Sequence, residues 1–246
     1  MCKKLMCLIS FVLVLTLVQA GIGQDVDPDL AGWWKFNGDA LDSSGNDRNG
    51  TLHGNPQFVA GVFNEALEFD GTDDYVTIDG YKGIVTDGTN TSAFTITAWF
   101  KAISDGEIVG WGSSGKGNRA EFRVNEGRLR YESGGGDVQA DTNMTDNRWH
   151  HGAVTIPRNA TYVDVTIYLD GKDDKQPENN TDVVHPLSNY DVIMGQRYNR
   201  SSNRWHTGVI DDFRIYNTAL NEDEIKEICS NLSDKGGEIA GHWKSE

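Results

Sequence analysis

Apolar and polar residues alternate in short segments along most of the chain. In segment 94–100, large apolar side chains at every second position alternate with Thr95, Thr97 and Trp99. Successive side chains of a β-strand point to opposite faces, so one face of this segment enters a core and the other carries Trp99. We predict that Trp99 packs in a second layer rather than binding a ligand.

The same pattern predicts about a dozen short strands. Turn residues separate many of them, as at Asp70-Gly71 and Asp170-Gly171, and such residues supply the positive φ at which strands reverse. Closely spaced short strands predict an all-β fold, an antiparallel sandwich or barrel. The predicted strands are 32–36, 66–69, 75–78, 94–101, 107–111, 121–124, 128–131, 149–156, 162–169, 191–194 and 209–216.

One helix is predicted near the end of the chain, from Glu222 to about Leu232. Asn221 is a typical N-cap, Glu224 stands three residues further on, and Ile225 begins an apolar face. The tail 233–246 is polar, and no linker divides the sequence before it. We therefore predict a single domain over residues 30–232.

The first twenty residues have the pattern of a secretory signal peptide. Lys3 and Lys4 precede an apolar run over residues 5–18, and cleavage is expected near Ala20. The run is too short to cross a bilayer comfortably, which takes about 20 residues. We expect the protein to be secreted, periplasmic or extracellular, with no membrane insertion after the signal is removed.

The predicted cleavage leaves one cysteine. Cys2 and Cys7 depart with the signal, and Cys229 alone cannot form an intrachain disulfide. We expect Cys229 to be a packed thiol on the helix, and the domain to be stabilised by burial, hydrogen bonds and a metal ion.

Composition supports a folded, acidic protein. The 246 residues are 37% hydrophobic and 24% charged, with a formal net charge of −15. Signal removal takes away two lysines and no acid, which leaves −17. A nucleic-acid binder usually has a basic surface, so that class is disfavoured.

Four stretches of this sequence occur in a telling order. They are GWWKF (32–36) with DSSGN (42–46), ALEFDG (66–71) with DDYV (73–76), FTITAWF (94–100) with YLDG (168–171), and GVIDDFRIYNTAL (208–220). Together they resemble the laminin-G-like jelly-roll domains of the concanavalin A-like lectin/glucanase superfamily. The resemblance spans about residues 30–230 and implies two curved antiparallel sheets packed face to face.

Calcium is the expected cofactor, in a structural role, because many relatives of this fold bind it and hard cations prefer oxygen ligands. Loop 38–50 is rich in carboxylate and amide side chains, and Asp211 shares a strand face with Phe213 and Ile215 if the strand is regular. An inward-pointing carboxylate must be paired or metal-bound; the alternative is that it accepts hydrogen bonds from backbone amides or an arginine. The predicted calcium ligands are Asp39, Asp42, Asn46 and Asp211.

Aromatic residues beside polar groups are candidates for ligand binding, because sugar recognition pairs flat rings with hydrogen-bonding groups. Simple packing is the alternative for each ring. The candidates are Trp111, Asn118, Arg119, Tyr131, Tyr198 and Trp205.

Catalysis is not expected. Glucanases of this superfamily resemble one another in closely alternating acids on one strand, and here the nearest approach, Glu68-Phe69-Asp70, is broken by a turn. We therefore predict a secreted non-catalytic module that binds a glycan or an extracellular protein. Two alternatives stay open, a structural or adhesive cell-surface component and a glycoside hydrolase that lacks the usual acidic motif.

Overall fold

The computed structural model describes residues 27–85, 91–201 and 204–230. The predicted signal peptide and the polar tail lie outside these residues. The described chain is mostly strand, arranged in two antiparallel sheets with one helix near its end. The predicted all-β fold, an antiparallel two-sheet jelly-roll sandwich, is therefore confirmed. No helix in these ranges is long and apolar enough to cross a membrane.

Within the described residues, fifteen strands form the two sheets. The back sheet has the order β13-β12-β11-β6-β15-β4-β3, and β1 also pairs with β15. The front sheet has the order β10-β9-β8-β7-β14-β5-β2. In chain order the strands are β1 (Leu30–Trp34), β2 (Thr51–His53), β3 (Gln57–Ala60), β4 (Glu65–Asp70), β5 (Tyr75–Ile78), β6 (Phe94–Ala102), β7 (Gly106–Gly112), β8 (Arg119–Asn125), β9 (Arg128–Glu132), β10 (Asp137–Gln139), β11 (His150–Ile156), β12 (Thr166–Leu169), β13 (Lys172–Asp173), β14 (Tyr190–Met194) and β15 (Thr207–Tyr216).

The prediction missed the short edge strands and merged one turn into a strand. β2, β3, β10 and β13 have two to four residues each, too few for a period-two pattern. The start of the predicted strand 162–169 is wrong, because Tyr162–Asp164 is a 3₁₀ turn. Asp164 accepts a hydrogen bond from the Thr161 backbone at 2.9 Å, which favours the turn over an extended chain.

The core lies between the sheets. Alternate residues of β6 face inward and are fully buried, as the pattern of segment 94–100 predicted. The rings of Trp34 and Phe213 lie 5.6 Å apart in the same layer. Each large apolar side chain buried this way contributes roughly 1.5–3 kcal/mol to folding.

Helix α1 (Glu222–Ser230) begins where the sequence predicted. The Asn221 side chain accepts hydrogen bonds from the backbone of Asp223 and Glu224, and Glu224 Oε2 accepts from Asn221 N at 2.7 Å. Ile225 packs against the outer face of the back sheet, beside Tyr168. Cys229 is a half-buried free thiol, as expected.

The predicted direction of the Asp211 side chain is wrong. A bulge follows Asp211, with Asp212 at φ 48°, so the regular alternation of β15 is lost there. Asp211 pairs with Trp99, whose side chain lies on the outer face of the back sheet, whereas Phe213 and Ile215 lie in the core. Asp211 is buried all the same, because the chain at residues 61–63 covers it.

Candidate ligand-binding face

Helix α1 packs on the back sheet, and the outer face of the front sheet carries a cluster of charged side chains. Backbone pairing aligns residues from all seven of its strands in one transverse row. Gly110 stands at the middle of the row and separates an uncharged half from an acidic half. From edge to edge the row is Thr51, Thr77, Ile193, Gly110, Glu121, Glu132 and Asp137.

The acidic half belongs to a set of side chains that we call the charged cluster. In β8, charged residues alternate with the buried core residues Ala120 and Phe122. This period-two alternation sends every charge to the outer face. The charged cluster consists of Glu107, Arg119, Glu121, Arg123, Arg130, Glu132 and Asp137.

Ion pairs connect most of the charged cluster. Arg119 contacts both Glu121, at 2.7 Å from Nε to Oε2, and Glu132. Arg123 lies 3.0 Å from Glu132 Oε2, and Arg130 lies 2.6 Å from Asp137 Oδ1. Such charge-assisted contacts hold the side chains in fixed positions.

Glu107 differs from its neighbours. It is fully buried, neither carboxylate oxygen has a hydrogen-bond partner, and Arg204 is 4.0 Å away. Burial first, and then the charge of Glu121, raise the pKa of Glu107 well above its usual value. Burial also opposes ionisation of Glu132, but Arg123 and Arg119 outweigh it and lower the pKa of Glu132. The charged cluster thus holds two acids whose pKa values are shifted in opposite directions.

Two neighbouring acids with pKa values shifted apart are a pattern used in acid–base catalysis. Here Glu107 is 0% exposed, and Glu132 is 9% exposed and ion-paired with Arg119 and Arg123. A substrate therefore has little access to either carboxyl group in this structure.

The crossing loop, which we define as residues 195–201 and 204–206, passes over the middle of the front sheet. Its ends are joined by a hydrogen bond from His206 N to Gly195 O, and Gly195 N donates to Ile108 O at 3.0 Å. A Cβ atom at Gly110 would lie 3.3 Å from Tyr198 Cβ. Glycine at this position therefore lets the loop lie close to β7.

Beside the crossing loop is a recess of about 230 Å³ over β2, β5 and β14. Tyr190 is 45% exposed at its edge, and its ring meets that of Tyr198 edge-on at 5.4 Å. The recess therefore presents aromatic carbon together with hydroxyl, amide and charged groups. Its lining residues are His53, Thr77, Asp79, Lys82, Asn189, Tyr190, Asp191, Ile193, Tyr198 and Arg200.

The side of the recess nearest β2 is held by packed rings. His53 stacks on Tyr75 with centroids 4.3 Å apart, and His53 Nε2 lies 2.9 Å from Thr77 Oγ1. Arg200 donates to the Tyr75 hydroxyl at 3.4 Å, and the Trp205 ring lies 6.0 Å from that of Tyr75. These contacts fix polar groups of the lining before any ligand arrives.

Two of the predicted ligand-binding rings are in the core. Trp111 and Tyr131 are both 0% exposed, and Trp111 Nε1 donates to Ile84 O at 3.0 Å. A ligand at the surface cannot stack on either ring. They face inward because they alternate with the outward-facing positions of β7 and β9.

The other four candidates lie at or near the surface. Tyr198 lines the recess, and Trp205 is half-buried near Tyr75. Arg119 belongs to the charged cluster, and the Asn118 side chain donates to Ser114 O at 3.2 Å within its turn. Tyr198 lines the recess although it is only 1% exposed, Trp205 lies beside Tyr75, and Arg119 and Asn118 are held by internal partners.

Asp42, a predicted calcium ligand, is occupied by hydrogen bonds. Oδ1 accepts from the backbone of Trp33 and Ser44 at 3.0 and 2.9 Å. Oδ2 accepts from Arg48 N and Ser44 Oγ at 3.0 and 2.9 Å. Burial raises the pKa of Asp42, but these donors outweigh it and lower the pKa overall. A carboxylate with four donors has little capacity left for a cation.

The other predicted calcium ligands also bind backbone groups, at separate places. Asn46 donates to Leu30 O at 3.0 Å, and Asp39 Oδ1 accepts from Leu41 N at 3.1 Å. Asp211 Oδ2 accepts from Val62 N and Phe63 N at 2.7 and 2.9 Å. Within the described residues, the predicted carboxylates do not gather into one ligand set.

Burial raises the pKa of Asp211 to about 7, despite those two amide donors. Its second oxygen has no hydrogen-bond partner. The alternative stated from the sequence, that Asp211 holds a turn through backbone amides, matches this geometry.

A different carboxylate group forms at the turn after β4. Asp70, Asp73 and Asp74 place ligand atoms within 4.8 Å of one another. Asp74 accepts from Asn55 N at 2.7 Å and from Asp70 N at 3.0 Å, and Asp70 accepts from Thr72 N at 2.7 Å. Turn formation accounts for these acids.

The sequence analysis missed the charged cluster and most of the recess. The alternation Arg119-Ala120-Glu121-Phe122-Arg123 carried the signal for the cluster, because a half-buried strand with charges at every second position needs paired charges on its outer face. Most of the recess had no such signal, since its residues come from four separate segments of the chain.

Solved structures share this architecture. Domain 4 of an extracellular arabinanase from Geobacillus stearothermophilus, solved with arabinotriose, aligns with a TM-score of 0.64 at 19% identity, over 82% of this chain and 98% of that one. The binding domain of Paraclostridial mosquitocidal protein 1 aligns with a TM-score of 0.60 at 18% identity, over 82% and 52%. The binding domain of botulinum neurotoxin DC, in complex with rat synaptotagmin II, aligns at 0.58 and 16%, over 85% and 52%.

The chain spans about half the length of the two toxin binding domains. No curated protein sequence matches it. A laminin-G family model, described as concanavalin A-like lectin/glucanases superfamily, matches residues 70–226, which is more than half of the chain. The protein therefore belongs to the laminin-G-like family of the concanavalin A-like lectin/glucanase superfamily.

Proposed function

We propose that this protein is a secreted, non-catalytic binding module that holds a carbohydrate in the recess beside the crossing loop. The observation that carries the proposal is the combination of the exposed ring of Tyr190 with hydroxyl, amide and charged side chains in one recess. Sugars present both apolar ring faces and hydroxyl groups. A binding site for them needs aromatic carbon and precisely placed polar groups together.

The hydrogen-bonding groups of the recess support this ligand class. Thr77 and His53 offer a hydroxyl and a ring nitrogen, Asn189 offers an amide, and Asp79 offers an exposed carboxylate. These groups include both donors and acceptors. A hydroxyl group both donates and accepts, so a polyhydroxylated ligand can satisfy them all.

The arabinanase domain supports the proposal from outside this chain, since its structure contains arabinotriose and it covers most of the described fold. The neurotoxin domain bound to synaptotagmin supports the alternative of a protein ligand. The polar lining and small volume of the recess favour the sugar.

The binding role without catalysis rests on the charged cluster. The candidate acids Glu107 and Glu121 are fully buried, and Glu121 is ion-paired with Arg119 and Arg197. Secretion rests on the predicted signal peptide at residues 1–20 and on the extracellular arabinanase that shares the fold.

Binding to immobilised glycans tests the proposal. The secreted protein is expected to bind a subset of a glycan array, and Tyr190→Ala is expected to weaken that binding at least about tenfold, or 1.4 kcal/mol. Ile103→Ala is the matched control, because Ile103 is 56% exposed and does not line the recess.

Two results would contradict the proposal. The first is an array with no bound glycan. The second is binding that survives periodate oxidation of the immobilised sugars, which would identify a protein ligand instead.

A further inference from the structure

The charges of the recess define its ligand more narrowly, and this step rests on the proposed function. We infer that the recess binds an uncharged sugar unit at the end of a glycan chain, and that it disfavours uronic, sialic and sulfated sugars.

The charged residues of the lining balance one another. Lys82 and Arg200 are basic, and Asp79 and Asp191 are acidic. Lys82 Nζ lies 2.6 Å from Asp191 Oδ1, so this cation already has an anionic partner. An acidic ligand would have to compete with Asp191 for Lys82, and it would meet Asp79 in the same recess.

Arg200 is directed toward an aromatic ring. Its guanidinium donates to the Tyr75 hydroxyl at 3.4 Å and lies 6.0 Å from the centre of that ring. Its backbone is fixed in a tight turn, with φ 54° and a hydrogen bond from Arg200 N to Arg197 O at 2.9 Å. A guanidinium in this position can donate a hydrogen bond to a sugar hydroxyl, but it is not arranged for a bidentate contact with a carboxylate.

The whole protein adds a second, independent argument. The chain has a formal net charge of −15, and its sequence pI is about 4.7. At low salt the field of such a protein repels anionic polymers before contact. Only a strongly basic site would overcome this repulsion, and the recess has equal numbers of acidic and basic residues.

The size and walls of the recess indicate a chain end. Its volume of about 230 Å³ is below the roughly 300–1,000 Å³ typical of sites for drug-sized ligands, which suits a single ring. On the side of β7 the crossing loop closes the recess, because Tyr198 lies directly over Gly110. A sugar polymer therefore cannot continue across the sheet, and its last unit is the part that fits.

Matched neutral and acidic ligands test the inference. Glucose- and galactose-terminated oligosaccharides are compared with the same oligosaccharides ending in glucuronic or galacturonic acid, at about 20 mM and 300 mM salt. The neutral members are expected to bind at least about tenfold more tightly at both salt concentrations. A (1→3)-linked glucan, in which periodate oxidises only the chain ends because internal units lack vicinal diols, is expected to lose binding after this treatment.

A variant pair tests the role of the ion pair. Asp191→Asn frees Lys82, so it is expected to increase binding of the acid-terminated sugars at least about threefold relative to the neutral ones. Asp182→Asn is the matched control, because Asp182 forms the same kind of pair with Lys116 at 2.6 Å and does not line the recess.

The outcomes separate the two proposals. Equal or tighter binding of the acid-terminated sugars overturns this inference and leaves the carbohydrate-binding function standing. Failure to bind any saccharide overturns both.

Discussion

Arg197 Nε lies 2.9 Å from Oε1 of Glu121, so a residue of the crossing loop is ion-paired with the middle of β8. Arg204, near the other end of the loop, lies 3.4 Å from Oε2 of the same carboxylate. One fully buried acid therefore holds both ends of the loop that forms a wall of the recess. The ion pairs of Glu121 therefore help to fix the shape of the recess.

Glu121→Gln is expected to destabilise the protein by about 3–5 kcal/mol, because it leaves three half-buried arginines without their shared, fully buried anion. The free energy of unfolding in urea measures the loss. Glu222→Gln is the control, since its pair with Lys226 is exposed to solvent and is expected to contribute little to stability. Equal effects of the two substitutions would contradict the assigned role of Glu121.

Relative to the unchanged protein, Glu107→Gln is expected to gain more stability at pH 8 than at pH 4. The pKa of Glu107 is raised in the folded state, so above pH about 4.5 the unfolded chain loses a proton that the folded protein keeps. Folding stability therefore falls as the pH rises through this window, and glutamine removes that loss. Urea unfolding at several pH values checks it, and parallel curves for the two proteins would argue against a neutral Glu107.

Two adjacent histidines are expected to titrate far apart. Burial, with a contribution from the Arg214 charge, lowers the pKa of His151 to about 3. The hydrogen bond to Asp170 raises the pKa of His150. An NMR titration of the ring protons should show His150 protonating above pH 6.5 and His151 staying neutral in any pH range where the fold persists.

The lowered pKa of His151 predicts that the folded protein loses stability at acid pH. As the pH falls below 6.5, histidine in the unfolded chain binds a proton, whereas His151 in the folded protein stays neutral down to about pH 3. The contribution of His151 to folding stability is therefore complete above pH 6.5 and is lost as the pH falls. His151→Phe, which keeps a ring beside Trp99, is expected to reduce this loss. A variant with an unchanged pH dependence would exclude His151 as its source.

Asp42→Ala is expected to lower stability by at least about 2 kcal/mol, because three backbone amides lose their acceptor. For a domain of this size that corresponds to about 4–8 °C in Tm. The decrease is expected to be the same in EDTA and in calcium, as a hydrogen-bonding role requires. A decrease seen only in calcium would make Asp42 a metal ligand.

Calcium binding itself stays a prediction from the sequence. If calcium stabilises the protein, EDTA lowers Tm and added calcium restores it. Magnesium at the same concentration is the control for ionic strength. An unchanged melt in EDTA would contradict the prediction.

The strands and the helix cap were predictable because their signals are local. Alternation in segment 94–100 depends only on the side-chain period of a strand, and the Asn221 cap depends on contacts within four residues. The direction of Asp211 was not predictable in the same way. Its bulge at Asp212 depends on pairing with β6, and nothing in the local sequence reports that register.

The same difference between local and long-range signals applies to the residues of the candidate site. Tyr198 was identified from the loop sequence, but Trp111 and Tyr131 carry similar sequence signals and lie in the core. Only the sheet register shows that Trp111 and Tyr131 face inward. His53 and Asp191 were not identified at all, because strands distant in sequence bring them together.

Gly110 touches no ligand in the proposed arrangement, yet the absence of a side chain there lets Tyr198 settle onto the sheet. A branched residue at this position would lift the loop and merge the two halves of the face into one continuous trough. One substitution in β7 would then determine whether such a protein binds the end of a polymer or binds along its length. Changes in binding mode within this fold can therefore begin beneath the loop rather than in it.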